Sequence, residues 1–240
     1  MSQLESGKQQ TQHAGMHLSA IFSLLFLPTV LLLLAYFQVE QTALLSFSAV
    51  IAVLLPFFIS FEKLNLKVRN LLPIVVMTAL ATAGRLLFAA APNFKPVLSI
   101  IIITAISFGP ASGFMTGALT ALASNLFFGQ GPWTPWQMYA FGLIAYLAGM
   151  LQQRSAFKRP VFIYIYGFIS AFLYGIILDT WHVISFLKPV TWQGALIIYG
   201  QGAIFNTLLA VATVVFLIPI RGPWIRQLDR IKQKFGLRIG

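Results

Sequence analysis

The residue types that carry chemistry are scarce and scattered in this chain. Its acids and histidines stand singly, at Glu5, Glu40, Glu62, Asp179 and Asp229 and at His13, His17 and His182. No two carboxylates form a candidate acid–base pair, no His/Glu pair has the helical spacing of a metal site, and no serine has an evident base. Cysteine is absent, which excludes disulfides and thiolate sites. We therefore expect no catalytic residue, no metal site and no permanently bound cofactor.

Tryptophan, proline and glycine gather in three short segments. Residues 92–96, 129–136 and 179–193 contain four of the five tryptophans, whereas Trp224 lies elsewhere. An aromatic belt is one explanation, because tryptophan prefers the headgroup level of a bilayer, but a belt has tryptophan at both interfaces. Loops stiffened by proline and glycine favour the other explanation, a shaped binding surface. The pattern therefore favours a ligand pocket over a belt.

The candidate ligand-binding residues combine stacking surfaces with a few polar groups that orient a ligand, as in most small-molecule pockets. The aromatic candidates are Trp133, Trp136, Tyr139, Trp181 and Trp192. The polar candidates are Asn93, Lys95, Gln137, Asp179, His182 and Gln201. We expect these side chains to converge on one side of a membrane.

The elements that must position them are membrane-spanning helices. The chain has 240 residues, 58% of them hydrophobic and 9% charged, whereas a soluble domain has about a quarter of its residues charged. A spanning helix needs about 20 mostly apolar residues. Eight segments meet or approach this length: 18–37, 43–61, 71–91, 97–109, 111–128, 136–151, 161–180 and 196–219. The sequence predicts an all-α integral membrane protein.

The distribution of basic residues predicts how these spans are oriented. With the amino terminus in the cytoplasm, eight spans place thirteen Lys and Arg residues inside, and only Lys95 and Lys188 outside. Such an excess is the positive-inside signal. The same distribution explains the net charge of +11. The basic residues orient the helices and contact anionic lipid, so the charge does not indicate nucleic-acid binding. We predict a plasma-membrane protein with both termini cytoplasmic and the tryptophan-rich loops outside.

The spans divide into two groups. Residues 1–17 are polar and predict a disordered tail. Residues 18–61 form two additional spans with few polar residues. Residues 71–220 carry nearly all the glycine, asparagine and tryptophan and predict a six-helix working core.

Residues 221–240 predict a basic amphipathic cytoplasmic tail. Trp224, Leu228, Ile231 and Phe235 share one helical face, with basic residues off it. This pattern favours a helix lying on the inner leaflet over one that docks to a cytoplasmic partner.

Few polar side chains lie at membrane depth. Only Arg85 and Asp179 are charged there, which disfavours a proton pump or an ion channel. Arg85 either pairs with Asp179 or extends alone to the outer headgroups, and the sequence leaves both open. Asn125, Gln201 and Asn206 predict amide hydrogen bonds between helices.

Small residues recur at helical spacing in two spans. Gly113, Gly117 and Ala121 recur every four residues in the fifth predicted span, and Ala79 and Ala83 do so in the third. Such stripes let helix backbones approach closely, either inside the protein or against another one.

The AxxxA pair Ala79 and Ala83, six core spans and binding loops gathered outside together resemble the substrate-binding S component of an energy-coupling factor (ECF) vitamin transporter. The resemblance covers about residues 71–220, so the two additional helices depart from the family's six-span core. It implies a non-catalytic, vitamin-capturing subunit. The alanine pair would dock onto a transmembrane T component that carries two cytoplasmic ATPase subunits. The ligand would be held by residues 92–96, 129–135 and 181–195.

The ligand within that family is a separate question. Residues 129–138, after Asn125, together with residues 93–96 resemble the branch that includes cobalamin-specific S components. A large corrinoid suits an open, tryptophan-lined mouth, whereas a compact anionic vitamin requires more fixed cationic groups. The alternatives are an S component for another vitamin, such as pantothenate or folate, or a membrane assembly protein with an aromatic outer face.

Overall fold

The computed structural model describes residues 48, 50–52, 54–55 and 68–236. The chain divides into two units, Met1–Asn65 and Leu66–Gly240. The described residues of the first unit are helical, as the second predicted span requires. The predicted tail at 1–17 and the first span at 18–37 lie outside the described residues. The total of eight spans and the cytoplasmic termini therefore stay predictions.

Helices are the regular secondary structure of the second unit between residues 68 and 236, with no strand in that range. Its α-helices are α1 (Val68–Leu87), α2 (Val97–Phe108), α3 (Pro110–Phe128), α4 (Thr134–Gln153), α5 (Pro160–Phe186) and α6 (Trp192–Lys234). A 3₁₀ turn at Ala156–Lys158 precedes α5. By length and composition, α3, α5 and α6 can each cross a membrane. The architecture supports an integral membrane protein, and each helix overlaps one of the six predicted core spans.

The short helix α2 lies at the centre of this unit. Eleven of its twelve residues are buried, and Ser99 Oγ donates a hydrogen bond to the Thr213 carbonyl of α6 at 2.8 Å. A helix of this length reaches only about 18 Å. α2 can be shorter than a membrane-spanning helix because it faces other helices rather than lipid. Gly109, with φ of 91°, then turns the chain directly into α3.

Glycine brings α3 into backbone contact with its neighbours. A Cβ added to Gly113 would lie 2.4 Å from Ala105 Cβ of α2, and one added to Gly117 would lie 2.5 Å from the Phe141 carbonyl oxygen of α4. The small-residue stripe predicted from the sequence is therefore confirmed as a packing surface inside the protein.

Two helices are longer than the sequence predicts. α5 continues to Phe186, so Trp181 and His182 are helical rather than part of a loop, because no glycine or proline interrupts the chain before Pro189. α6 continues through Pro219 and Pro223 to Lys234, so the basic tail is not a separate element.

The amphipathic face of that tail packs onto the protein itself. Leu228 is buried, and Trp224 and Ile231 pack beside it against the hydrophobic core. Lys232 Nζ donates to the Ser107 carbonyl at the end of α2, at 3.2 Å. Of the four residues on the predicted lipid-facing stripe, Phe235 is the one that stays exposed. The structure thus differs from the prediction of a helix lying on the leaflet through this face.

We expect Gly117→Ala to lower the free energy of unfolding by about 1–3 kcal/mol, the usual cost of an extra group in a packed interior. Its Cβ would meet backbone atoms of α4, so the two helices would have to separate. Thermal unfolding in detergent measures the change. Gly200→Ala is the matched control, because a Cβ at Gly200 meets nothing within 4 Å. Its stability should be unchanged or slightly higher, since alanine favours helix. Equal losses in both variants would contradict the close packing.

Candidate ligand-binding site

Three connections lie at one end of the helices, which we call the outer end after the predicted topology. They are residues 88–96, 129–133 and 187–191. Two of the contacts at this end join different segments of the chain. Lys95 Nζ lies 4.9 Å from the Phe128 ring centroid at the end of α3, and the Trp133 ring lies 5.9 Å from that of Trp181 near the end of α5.

The outer aromatic cluster consists of Trp133, Trp181, His182 and Phe186. Trp133 and Trp181 meet edge to face at an interplanar angle of 66°, a favoured aromatic geometry. The Trp181 ring also contacts those of His182 at 4.7 Å and Phe186 at 5.4 Å. Three of these four residues were predicted from the sequence. Phe186 was missed because the predicted span ended before it.

The residues of this cluster differ in exposure. Trp181 is 6% exposed, whereas Phe186 is 69% exposed. His182 is also exposed, and its Nδ1 lies 3.0 Å from the Leu178 carbonyl one turn back. The cluster therefore has a buried base and an accessible rim.

A buried polar network lies between the outer halves of the helices. We call it the Arg85 network, and its members are Arg85, Ser124, Asn125, Thr134, Gln137 and Tyr174. Arg85 is 8% exposed. Its Nη1 donates to Ser124 Oγ and to Asn125 Oδ1 at 3.4 Å. The guanidinium also lies over the rings of Phe128 and Phe141, 5.3 and 5.4 Å from their centroids.

Asn125 links α3 to α4 directly and to α5 through Gln137. Its Nδ2 donates to Thr134 Oγ1 at 3.0 Å and to Gln137 Oε1 at 2.9 Å. Gln137 Nε2 in turn donates to the Tyr174 hydroxyl at 3.2 Å. The network thus joins α1, α3, α4 and α5, and it confirms the predicted interhelical hydrogen bonding of Asn125.

Lys95 lies beside this network in the first connection. Burial, and then the nearby charge of Arg85, lower the pKa of Lys95 from its usual value. Asn93 in the same connection has φ of 54°, a left-handed conformation that asparagine tolerates better than most residues. Lys95 therefore lies next to a second cation, with the Phe128 ring in contact with both.

The remaining predicted ligand-binding residues do not join one cluster. Trp136 and Tyr139 are 1% and 3% exposed, so neither presents a ring surface in this conformation. The Trp136 Nε1–H has no hydrogen-bond acceptor among the described residues. Trp192 is 82% exposed. Gln201 is exposed as well, so the prediction that it is a buried amide is wrong.

Asp179 and Arg85 have different partners. Asp179 Oδ2 accepts a hydrogen bond from Asn206 Nδ2 at 3.3 Å, which confirms the interhelical role predicted for Asn206. Gly202 makes room for this carboxylate, because a Cβ there would lie 2.2 Å from Oδ2. Arg85 is bonded within its own network, so the structure shows neither the predicted ion pair nor an arginine extended to the headgroups.

The predicted docking stripe lies on the surface of α1. Ala79 and Ala83 are both exposed, and so are the apolar neighbours Leu72, Val76 and Leu80. Small side chains on an exposed apolar face leave room for the backbone of another helix.

Sequence reasoning missed Ser124, Thr134 and Tyr174. They lie in three separate segments of the chain, and no spacing pattern links them. The one available signal was that Arg85 and Asn125 fall at similar outer depths of two predicted spans. Within the described ranges, no group of three His, Cys, Asp or Glu side chains is placed to hold a metal ion.

Comparison with known proteins yields one weak similarity. A UPF0397 protein of Aliivibrio salmonicida (strain LFI1238) is 22% identical over 151 residues, covering 61% of this chain and 74% of the relative. Its name states no activity. No protein-family model matches this chain, and no solved structure matches it.

We expect Asn125→Ala to lower the free energy of unfolding by roughly 1–3 kcal/mol, because it leaves buried polar partners unsatisfied. Arg85, Thr134 and Gln137 would each lose a hydrogen bond. The control is Gln201→Ala, which truncates an exposed amide and should change stability by less than about 0.5 kcal/mol. Thermal unfolding in detergent compares the two. A loss no larger for Asn125→Ala than for the control would mean that the network does not stabilise the fold.

Proposed function

We propose that this protein is the substrate-binding subunit of an ATP-driven, ECF-type vitamin importer, and that it captures its ligand at the outer end. One observation carries the proposal. Trp133, from the second connection, and Trp181, near the end of α5, are far apart in sequence but meet at this end and leave an accessible aromatic rim. Aromatic surfaces flanked by a few polar groups are typical of small-molecule sites.

The polar groups needed to orient a ligand lie close to these aromatic residues in the chain. His182 adjoins Trp181, and its ring contacts the indole. Gln137 follows Trp133 by one helical turn and is only partly buried. Lys95 supplies a cation from the first connection. The first connection and the outer ends of α4 and α5 thus each contribute a polar group to the proposed site.

The partners of the proposed importer are those that the resemblance to the ECF family implies. ATP hydrolysis would take place on two cytoplasmic ATPase subunits. A transmembrane T component would link them to this subunit through the exposed face around Ala79 and Ala83. The proposed location is the plasma membrane, with the outer end facing the cell exterior.

The proposed ligand is cobalamin, with pantothenate or folate as alternatives. Cobalamin is supported by the aromatic rim and by the resemblance of residues 129–138 to the cobalamin-specific branch. A large ligand could rest on exposed side chains such as Trp192 and Phe186 without entering the buried interior. A vitamin bound in this way contacts tryptophan directly, so binding should change tryptophan fluorescence.

We expect Trp133→Ala to weaken cobalamin binding by about 30-fold, because truncating a central aromatic contact costs about 2 kcal/mol. Isothermal titration calorimetry of the purified protein measures this directly. Phe162→Ala is the control, since Phe162 is an exposed aromatic residue at the opposite end of α5. If the protein binds pantothenate or folate instead of cobalamin, the proposed ligand is wrong but the proposed role as a vitamin-binding subunit stands. If the wild-type protein binds no vitamin, the proposal fails in favour of a membrane assembly protein.

We expect Ala79→Trp to abolish vitamin uptake in cells while leaving ligand binding intact, because an indole on the alanine stripe prevents close helix approach. Ile169→Trp places the same side chain on an exposed position of α5 and should leave uptake unchanged. Uptake of labelled vitamin and calorimetric binding are measured on the same variants. Normal uptake by Ala79→Trp would show that this face does not dock the T component.

A further inference from the structure

Arg85 is a buried cation whose described partners are all neutral. The hydroxyl of Ser124, the amide of Asn125 and two aromatic rings surround it. A charge removed from water is costly unless an opposite charge accompanies it. Neutral dipoles orient the guanidinium but do not neutralise it.

The carboxylates that the structure describes are engaged or placed elsewhere. Asp179 accepts from Asn206 between α5 and α6, and Asp229 lies in the last turns of α6, at the opposite end from the outer connections. Within residues 68–236, Arg85 therefore has no carboxylate partner. Glu5, Glu40 and Glu62 lie outside the described residues.

Lys95 adds a second positive charge at the same place. Its ammonium and the Arg85 guanidinium both lie over the Phe128 ring. Like charges held close together in a partly apolar setting repel each other. Burial and the Arg85 charge accordingly lower the Lys95 pKa. An anion bound between them would relieve both the repulsion and the burial cost.

Arg85 has more hydrogen-bond donors than its described partners use. Among the described residues both of its hydrogen bonds run through Nη1, so within that part of the chain the Nε and Nη2 donors of the guanidinium fork have no acceptor. Carboxylate and phosphate groups match that fork with two parallel hydrogen bonds. Asn125, itself held by Thr134 and Gln137, fixes the direction in which the fork points.

We propose that Arg85 and Lys95 recognise an anionic group of the ligand, a carboxylate or a phosphate, beside the Phe128 ring. This inference rests on the proposed function and names the chemistry that its ligand must contain. Cobalamin satisfies it through its phosphodiester, and pantothenate and folate satisfy it through their carboxylates. Vitamins without an anionic group are excluded.

The test compares each vitamin with an analogue that lacks its anionic group. Cobalamin is paired with cobinamide, which lacks the phosphodiester and its nucleotide base, and pantothenate is paired with panthenol, whose carboxylate is replaced by an alcohol. We expect the wild-type protein to bind the member of one pair that carries the anionic group at least tenfold more tightly. Lys95→Gln and Arg85→Gln should each weaken that binding about 10- to 100-fold, as expected for hydrogen bonds to charged groups. Neither substitution should weaken binding of the analogue without the anionic group.

Lys188→Gln is the matched control, because it removes the other outer lysine and should leave affinity unchanged. Lys95→Gln changes only a loop side chain, so it tests the inference even if Arg85→Gln does not fold. Equal affinity for both members of every pair, unchanged by Lys95→Gln, would overturn the anion site and leave the proposed function standing. Failure to bind any vitamin would overturn the proposed function itself.

Discussion

The guanidinium of Arg85 must be satisfied away from water, and the outer half of the described helices is arranged around this requirement. Ser124 and Asn125 present their acceptors from α3. Because Asn125 also donates to Thr134 and Gln137, the same constraint fixes the start of α4. The hydrogen bond from Gln137 to Tyr174 then extends the Arg85 network to α5. A single buried charge thus sets the mutual positions of four helices, and these helices carry the outer connections.

The inner half is held by close apolar packing. Gly113 and Gly117 remove the side chains that would separate α3 from α2 and α4, and α2 fills the centre with buried isoleucine. The tail of α6 covers the inner end through Leu228 and Ile231. Tight packing of this kind transmits strain and deforms little. Such a rigid base suits a subunit whose proposed site lies at the opposite end and whose proposed partner docks along the exposed face of α1.

Much of the fold could be predicted because it follows from local signals. Apolar segments correspond to the six helices between residues 68 and 234, and Gly109 marks the turn between α2 and α3. The aromatic residues Trp133 and Trp181 were predicted to share one side, and they do meet. The burial of Trp136 and Tyr139 was not predictable, since hydropathy does not show which face of a helix meets another helix. α5 extends past the predicted span 161–180, because polar residues such as His182 do not by themselves end a helix.

The sequence by itself determined the membrane class, the order of the described helices and the types of residue available for binding. Those properties depend on hydropathy, turn residues and the placement of charge, which act over a few residues along the chain. Only the tertiary structure decided the partners of Arg85, the contact of Lys95 and Arg85 with one ring, and the packing of the α6 tail against α2. These depend on which helices are neighbours. That choice results from the packing of all the helices together, so no local segment of the sequence contains it.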